Sequence, residues 1–497
     1  MFSRRQLPFQ VFTLTFVAAM FFPRVLPEGM FPDGLTYAAI ARNMAAGQGG
    51  FWSPYFSSSF WLSFEGNQYE FFGHPTLAMG ILSLFFKVFG DHWFIEKGYA
   101  ILIWVITVGL IVRLWRTEAI DKGLWWLPVF LWYVMPTVLW SYPQFMLDNT
   151  MTVFSLLASL TILRGMEWSM VDTRQAFGYF VVAGLFLHLA FLSKGPVGLF
   201  PLAMPLGFWL VYRDKMTGAK ALGQIMAVGA TCFGTLALWY FYEPARLFWS
   251  KYFEIQLVSS ISSNSQSIHY DWYDYFYIPI RLVMECAPFL GVLLILFVFA
   301  KAKSSRFTFQ KAANRRAAFY LWVGLSGSLP MMISHKTSAF YLVPCLPFFA
   351  LSLAAWLEPS FVAWSEKHVL TSAKMQKVRA GLLILALGVV VYSLLQIGTI
   401  GREKDIIRGM TILSKEKNGI RDGEKIAVCD ATMNDFNYHA YFQRYHRWEL
   451  AKVSDTTARY FIHTEGSCRI TELDSAAQRF IKKNIAGLEK LQFYEIK

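Results

Sequence analysis

The sequence predicts an all-α bundle that crosses a membrane many times and carries a small α/β domain at its C-terminal end. Three observations predict it. Of 497 residues, 55% are hydrophobic and 16% charged, against about 25% charged in ordinary soluble chains. Apolar runs long enough to cross a bilayer recur through the first 400 residues, and the remainder is polar with strand-like alternation. Disordered, coiled-coil and nucleic-acid-binding classes are excluded, because each needs more charge or less apolar mass. No internal repeat or low-complexity linker is evident, which disfavours the repeat-built transporter folds.

A spanning helix needs roughly 20 predominantly apolar residues. About eleven runs approach that length, near residues 7 to 26, 97 to 115, 123 to 140, 146 to 163, 176 to 193, 196 to 212, 221 to 241, 276 to 300, 317 to 334, 338 to 357 and 380 to 400. The first follows Arg4 and Arg5 and lacks a small-residue cleavage site, so it reads as a retained signal anchor. Those arginines place the N-terminus in the cytoplasm. Counting spans then puts Arg113, Arg116 and Lys122 inside, with Arg164 and Arg174, with Arg213, Lys215 and Lys220, and with the basic loop 301 to 316. The run at 74 to 90 is short and contains Lys87, so it reads as an interfacial or re-entrant helix; as a span it would move every later basic loop outside.

With this parity, residues 1–400 form a transmembrane domain with long external loops at 27–95 and 242–275, and residues 401–497 form an extracytoplasmic domain. The tail alternates strand-like runs (EKIAVCD, ARYFIHT, LQFYEI) with a helical pattern around SAAQRFIKKNI. Five cysteines are scattered along the chain, and Cys232, Cys286 and Cys345 lie in apolar runs as small hydrophobes. Cys429 and Cys468 fall in the tail; an oxidising compartment would allow a bridge, but sequence supplies no geometry and the pairing stays open.

Ionisable groups near bilayer depth are functional candidates by default. Asp33, in FPDGLTYAAIARN, precedes a helical pattern that it could cap, with Tyr37 and Arg42 farther along the same segment. Asp148, in YPQFMLDNTMTVF, could likewise cap a helix, as could Asn149, yet a carboxylate among Phe145, Met146 and Leu147 carries a desolvation cost that a serine would avoid. Lys194 lies in a Ser-Lys-Gly-Pro turn, and His335 and Lys336 in a second tight turn with Tyr341 beyond. A lysine is suited to an anionic phosphate as a compact point charge, though a turn lysine also snorkels to water. His74 opens the re-entrant run and His269 lies among carboxylates and aromatics. Either is satisfied as a structural histidine; no HxH or HxxxH spacing supports a zinc site.

The order of these pieces resembles the GT-C superfamily of polyprenyl-phosphate-sugar-dependent glycosyltransferases, in particular bacterial members such as the lipid A aminoarabinose transferase and the protein O-mannosyltransferases. The resemblance rests on Asp33, Tyr37, Ala38, Ile40, Ala41 and Arg42 after the first span, His74-Pro75, Asp148, the F-L-S-K-G-P turn from Phe191 to Pro196, the aromatic segment with His269, Trp272 and Tyr273, and a late turn with Ser334, Lys336, Phe340, Tyr341, Pro344 and Pro347. It implies an α-helical GT-C fold in the bacterial inner membrane and transfer of a sugar from an isoprenoid-phosphate carrier to a lipid, glycan or protein acceptor on the outer face, as in lipid A modification or protein glycosylation. Asp33 and Asp148 take the catalytic carboxylate positions. Tyr37, Arg42, His74, Lys194, His269, His335, Lys336 and Tyr341 take substrate and carrier-phosphate positions. The family often has Glu-Lys-Pro-Pro where this chain has Phe72-Gly73-His74-Pro75, so a glutamate and a lysine are missing and His74 stands in the lysine's place. No organic cofactor is implied, no residue is assigned as a metal ligand, and a divalent ion stays open.

Two other classes compete. A transporter or flippase calls for charges distributed across the membrane and broken helices near its midplane, whereas these gather at one edge. A polymerase or ligase of lipid-linked glycans, using a diphosphate carrier, calls for more external arginines than Arg42 and the partly embedded Arg281. The net charge of +13 sits mostly in the basic loops that set orientation, so the functional positive charge reduces to a few external residues, chiefly Lys194 and Lys336.

Overall fold

A computed structural model describes residues 6–59, 70–258, 275–302, 310–334, 337–367, 372–415, 419–464, 466–488 and 491–497. Its α-helices are α1 (Leu7–Val25), α2 (Pro32–Ala45), α3 (Leu77–Phe89), α4 (Ile95–Glu118), α5 (Trp126–Tyr133), α6 (Pro136–Ser141), α7 (Leu147–Trp168), α8 (Thr173–Lys194), α9 (Met204–Val211) and α10 (Gly218–Leu238). They continue with α11 (Glu243–Tyr252), α12 (Tyr277–Ala302), α13 (Lys311–Ser328), α14 (Leu346–Lys367), α15 (Ser372–Leu394), α16 (Lys404–Lys415), α17 (Asp430–Met433), α18 (Phe436–His446) and α19 (Ile470–Arg479). The strands are β1 (Lys425–Val428), β2 (Glu449–Lys452), β3 (Tyr460–Thr464), β4 (Phe480–Lys483) and β5 (Leu491–Ile496). Contacts divide the chain into two units. The first comprises Met1–Val25, Gly73–Ala78 and Ala100–Leu394, and the second comprises Leu26–Phe72, Met79–Tyr99 and Leu395–Lys497.

Among the described residues, fewer helices are long and apolar enough to cross a membrane than the eleven runs anticipated. Among the described residues there are 6: Leu7–Val25, Ile95–Glu118, Thr173–Lys194, Gly218–Phe241, Leu346–Glu366 and Lys374–Leu394. Proline accounts for several of the differences. The run near 123 to 140 divides into α5 and α6, because Pro136 opens a new helix and holds Met135 extended (φ −67°, ψ 128°). The run at 196 to 212 is a 3-10 stretch, Pro196–Ala203, followed by α9; Pro201 and Pro205 each remove a backbone donor. The run near 338 starts with a 3-10 turn, Ala339–Leu342, and becomes α-helical only at Leu346. The last run ends earlier than anticipated, at Leu394. The apolar segment at 74 to 90 is the 13-residue α3. At 1.5 Å per residue it is about 20 Å long, short of the roughly 30 Å hydrocarbon core.

Helices α7 and α8 of the first unit form an antiparallel hairpin. Asp172 closes its loop by capping α8, accepting from Arg174 N at 2.9 Å and Gln175 N at 3.3 Å. The hairpin packs closely because Gly165 leaves room for the Phe180 ring. Its geometry puts the N-terminus of α7 beside the C-terminus of α8. Two further buried carboxylates of the unit are paired, which offsets the cost of burying their charge: Glu285 accepts from Thr137 N at 2.8 Å and lies 3.0 Å from Arg281 Nε, and Glu358 pairs with Arg316.

The second unit joins the first long loop to the tail. The tail sheet has the order β2-β1-β3-β5-β4, with β2, β1 and β3 parallel and β5 antiparallel to both β3 and β4. The helical pattern around SAAQRFIKKNI stops at Arg479. From Phe480 the chain is strand β4, because Phe480 is buried among Phe461 and Ala476 and the backbone pairs with β5. Cys429 and Cys468 form a disulfide with a Cα–Cα distance of 5.4 Å.

Helix α2 packs on α18. The Tyr441 hydroxyl donates to Met30 O at 2.8 Å and accepts from Met30 N at 3.2 Å. Arg42 donates to the carbonyls of Gln443 (2.6 Å) and Arg444 (3.0 Å). Arg444 in turn is held by Glu96 at 2.8 Å and Asp91 at 2.9 Å. Each backbone carbonyl taken by a buried guanidinium satisfies two polar groups at once.

Candidate functional site

The α7–α8 hairpin brings two of the predicted residues together. Asp148 lies in the first turn of α7 and Lys194 is the last residue of α8, so each sits at the helix end whose dipole favours its charge. Lys194 Nζ is 2.5 Å from Asp148 Oδ2, and their side chains are 6% and 0% exposed. Asp148 Oδ1 is enclosed and accepts no hydrogen bond among the described residues. Neither capping reading survives here: the N-cap position is Met146, and Asn149 Nδ2 donates to Ser141 O at 2.9 Å. The Lys194 ammonium also lies 4.6 Å from the ring centres of both Phe340 and Tyr341, within cation–π range.

Local sequence makes this placement possible. Gly195 follows α8 with φ +110°, a conformation that L side chains rarely adopt, and a Cβ there would overlap the Tyr252 hydroxyl. Pro196 then starts the 3-10 stretch. Gly198 of that stretch lies against Ala190 and Met151, and its carbonyl accepts from Ser155 at 3.2 Å.

A cavity of about 430 Å³ opens at this pair. Pro196, Val197, Phe200, Met331 and Ile333 give it apolar walls, while His74, Asp148, Lys194, Gln256 and Tyr341 supply polar groups. Tyr252 also lines it; burial pushes the Tyr252 phenol well above its ordinary range, so the hydroxyl stays protonated. A mostly apolar cavity with a few convergent polar groups is the usual form of a small-molecule or lipid site.

Asp33, Tyr37 and Arg42 belong to the second unit, on α2. Asp33 sits in the first turn, where its charge suits the helix dipole, but the N-cap position is Phe31. Tyr37 is buried. Arg42 is 2% exposed and bonded to the tail carbonyls and to Asn43, so the structure occupies it with the protein's own backbone. Burial, then the nearby Arg444, pulls its pKa down to about 9, and it remains charged at neutral pH. His269, His335 and Lys336 lie outside the described residues. Among the described residues no group of three or more His, Cys, Asp and Glu is placed to hold a metal ion.

Sequence reasoning missed Tyr252 and Gln256, which it left inside an undifferentiated loop. The available signal was weak: Phe248, Trp249 and Tyr252 at helical spacing.

Comparison with known proteins adds a partial match to one family and a likeness in fold. The profile described as dolichyl-phosphate-mannose-protein mannosyltransferase matches residues 73–239, about a third of the chain, including Asp148 and Lys194. The crystal structure of ArnT from Cupriavidus metallidurans bound to undecaprenyl phosphate superposes with a TM-score of 0.60 at 14% identity, covering 97% of this chain and 97% of that one. The chain resembles the GT-C glycosyltransferases. The apo state of the same ArnT gives a TM-score of 0.57 at 14% identity, covering 97% of this chain and 96% of that one. The apo oligosaccharyltransferase of Archaeoglobus fulgidus gives 0.46 at 11% identity, covering 95% and 73%. No curated protein sequence matches the chain. The likeness in fold to ArnT spans 97% of the chain.

Proposed function

We propose that the protein is an integral-membrane inverting glycosyltransferase that moves a sugar from an isoprenoid-phosphate carrier to a lipid, glycan or protein acceptor on the outer face of the bacterial inner membrane. The observation that carries this reading is the buried Lys194–Asp148 pair at the wall of an otherwise apolar cavity. An isoprenoid tail calls for apolar walls, and its phosphate calls for a cation at one end. The fold shared with an ArnT bound to undecaprenyl phosphate, and the partial match to a dolichyl-phosphate-mannose-dependent family, support the same carrier class.

As the glycosidic C–O bond breaks, negative charge grows on the carrier phosphate. A preorganised ammonium opposite it lowers the barrier most where water is excluded. Asp148 acts as a positioning residue in this reading, because it holds Lys194 without replacing it. Asp33 is assigned by its sequence motif as the base that takes the acceptor's proton, a role worth about 10² to 10⁴ in rate. A single displacement inverts the anomeric carbon. His335 and Lys336 are assigned by motif to the same phosphate, and His74 to the donor sugar or phosphate. The disulfide of the tail supports an extracytoplasmic placement, since such bonds persist in oxidising compartments.

Mass spectrometry of envelope glycolipids and exported proteins, with and without the protein, tests the reading. It predicts one glycan mass that disappears on deletion and returns with the wild-type chain but not with Asp33→Asn. An unchanged set of glycans would contradict it.

A further inference from the structure

Tyr252 is built into the cavity wall in a way that packing alone does not explain. It is the last residue of α11, where Ala245, Phe248 and Tyr252 recur at i, i+3 and i+7 and are buried, while Arg246, Leu247 and Lys251 are exposed. Its ring lies parallel to Phe248 at 6.3 Å and edge-on to Trp249 at 5.6 Å. Trp249 in turn packs on Phe191 at 5.4 Å, one turn before Lys194 on α8. The phenol is therefore fixed against the same helical turn that delivers the ammonium.

The Tyr252 hydroxyl makes no hydrogen bond among the described residues, although the residue is only 2% exposed. A buried hydroxyl without a partner destabilises a fold, and a phenylalanine would fill the same space without that cost. The oxygen lies over the Gly195 backbone, where a Cβ would overlap it, in the wall of the cavity that Lys194 and Tyr341 also line. Burial keeps the phenol protonated, so it is a neutral donor.

We propose that the Tyr252 hydroxyl is a catalytic hydrogen-bond donor to the departing phosphate, a role that rests on the carrier-phosphate reading above. The acceptor oxygen bonds to the anomeric carbon, the C–O bond to phosphate breaks, and its electron pair stays on the phosphate oxygen. The acceptor's proton goes to the base, while Tyr252 keeps its own and directs it at a phosphate oxygen. The Lys194 ammonium is shared with Asp148 at 2.5 Å, which leaves work for a second donor. A fixed O–H strengthens its bond as charge grows on the phosphate, so it favours the transition state over the bound donor.

The polyprenyl phosphate that the reaction frees carries in full the charge that the transition state approaches, so its binding reads this bond without a sugar or an acceptor. The test compares wild type and Tyr252→Phe as full chains in detergent, by thermal denaturation and by native mass spectrometry with undecaprenyl phosphate and with undecaprenol, which has the tail but no phosphate. Without ligand, Tyr252→Phe is expected to unfold at a higher temperature than wild type. It should bind undecaprenyl phosphate about tenfold more weakly or worse, the loss of one hydrogen bond to a charged group, and bind undecaprenol equally. Transfer by Tyr252→Phe should be about tenfold to a hundredfold slower, and that rate is the ceiling for Tyr252→Phe combined with Gly195→Ala. Undecaprenyl phosphate bound equally by both chains would overturn the proposal and leave the carrier reading in place. Wild type that binds the phosphate no better than the alcohol would overturn both. A Tyr252→Phe chain that is less stable than wild type and loses both ligands alike would make Tyr252 a packing residue and overturn the proposal alone.

Discussion

The ammonium of Lys194 sits 2.5 Å from Oδ2 of Asp148, a carboxylate fully enclosed by protein. Two helix ends of opposite polarity deliver these charges to one point, and the cavity opens there. Removing one partner of a buried pair leaves the other charge poorly compensated, at a cost of about 3 to 5 kcal/mol, whereas replacing both by apolar residues is often nearly neutral. Asp148→Asn should therefore lower the thermal denaturation midpoint of the purified protein. Asp148→Leu combined with Lys194→Met should recover most of that loss while remaining inactive. Equal stability of wild type and Asp148→Asn would show that the pair is not energetically coupled.

Gly195 supplies the turn that presents Lys194. Gly195→Ala should reduce both stability and transfer, since it forces a left-handed φ on an L residue, roughly 1 to 2 kcal/mol, and drives Cβ into the Tyr252 hydroxyl. Adding Tyr252→Phe should restore part of the activity by removing the overlap but not the strain. A Gly195→Ala enzyme with normal turnover would refute this account of the turn.

Much of this site was legible in the sequence as isolated charges in apolar surroundings. Asp148 and Lys194 could be singled out that way, but their pairing depends on the close α7–α8 packing at Gly165, which no pattern of charges encodes. Arg42 shows the opposite limit. An arginine after Tyr37 reads the same whether it grips a phosphate or the carbonyls of Gln443 and Arg444, residues some 400 positions away. The apolar runs gave the bundle but not its interruptions, because Pro196, Pro201 and Pro205 break helices without lowering hydrophobicity.

Tail stability should depend on pH through His439. Burial holds its pKa below the ordinary value, and its Nε2 bonds Met433 O at 2.8 Å as the neutral tautomer. The folded state thus binds fewer protons than the opened state. Its contribution is complete above about pH 6.5 and is lost as pH falls from there toward the depressed folded value, with a slope of up to about 1.4 kcal/mol per pH unit. Hydrogen exchange of α18, corrected for intrinsic rates, should show protection falling between pH 7 and pH 5.5 in the wild type and less so in His439→Gln. Identical pH profiles for the two proteins would contradict the assignment.

The disulfide closes a loop with a sequence separation of 39. On a chain-entropy estimate it contributes roughly 4 kcal/mol, so Cys468→Ser should sharply increase exchange across β1 and β3. In intact spheroplasts, reduction should expose Cys429 and Cys468 to a membrane-impermeant maleimide. Labelling only after the membrane is broken would place the tail in the cytoplasm and reverse the proposed orientation.

The most direct test of the central claim is the dependence of transfer on carrier concentration in wild type, Lys194→Ala and Asp33→Asn, reconstituted in equal amounts with a polyprenyl-phosphate sugar. The account predicts that Lys194→Ala raises the carrier concentration needed for half-maximal rate by tenfold or more, and that Asp33→Asn inserts normally and binds carrier but transfers at least about 10² more slowly. An unchanged carrier dependence in Lys194→Ala, together with full turnover by Asp33→Asn, would contradict it.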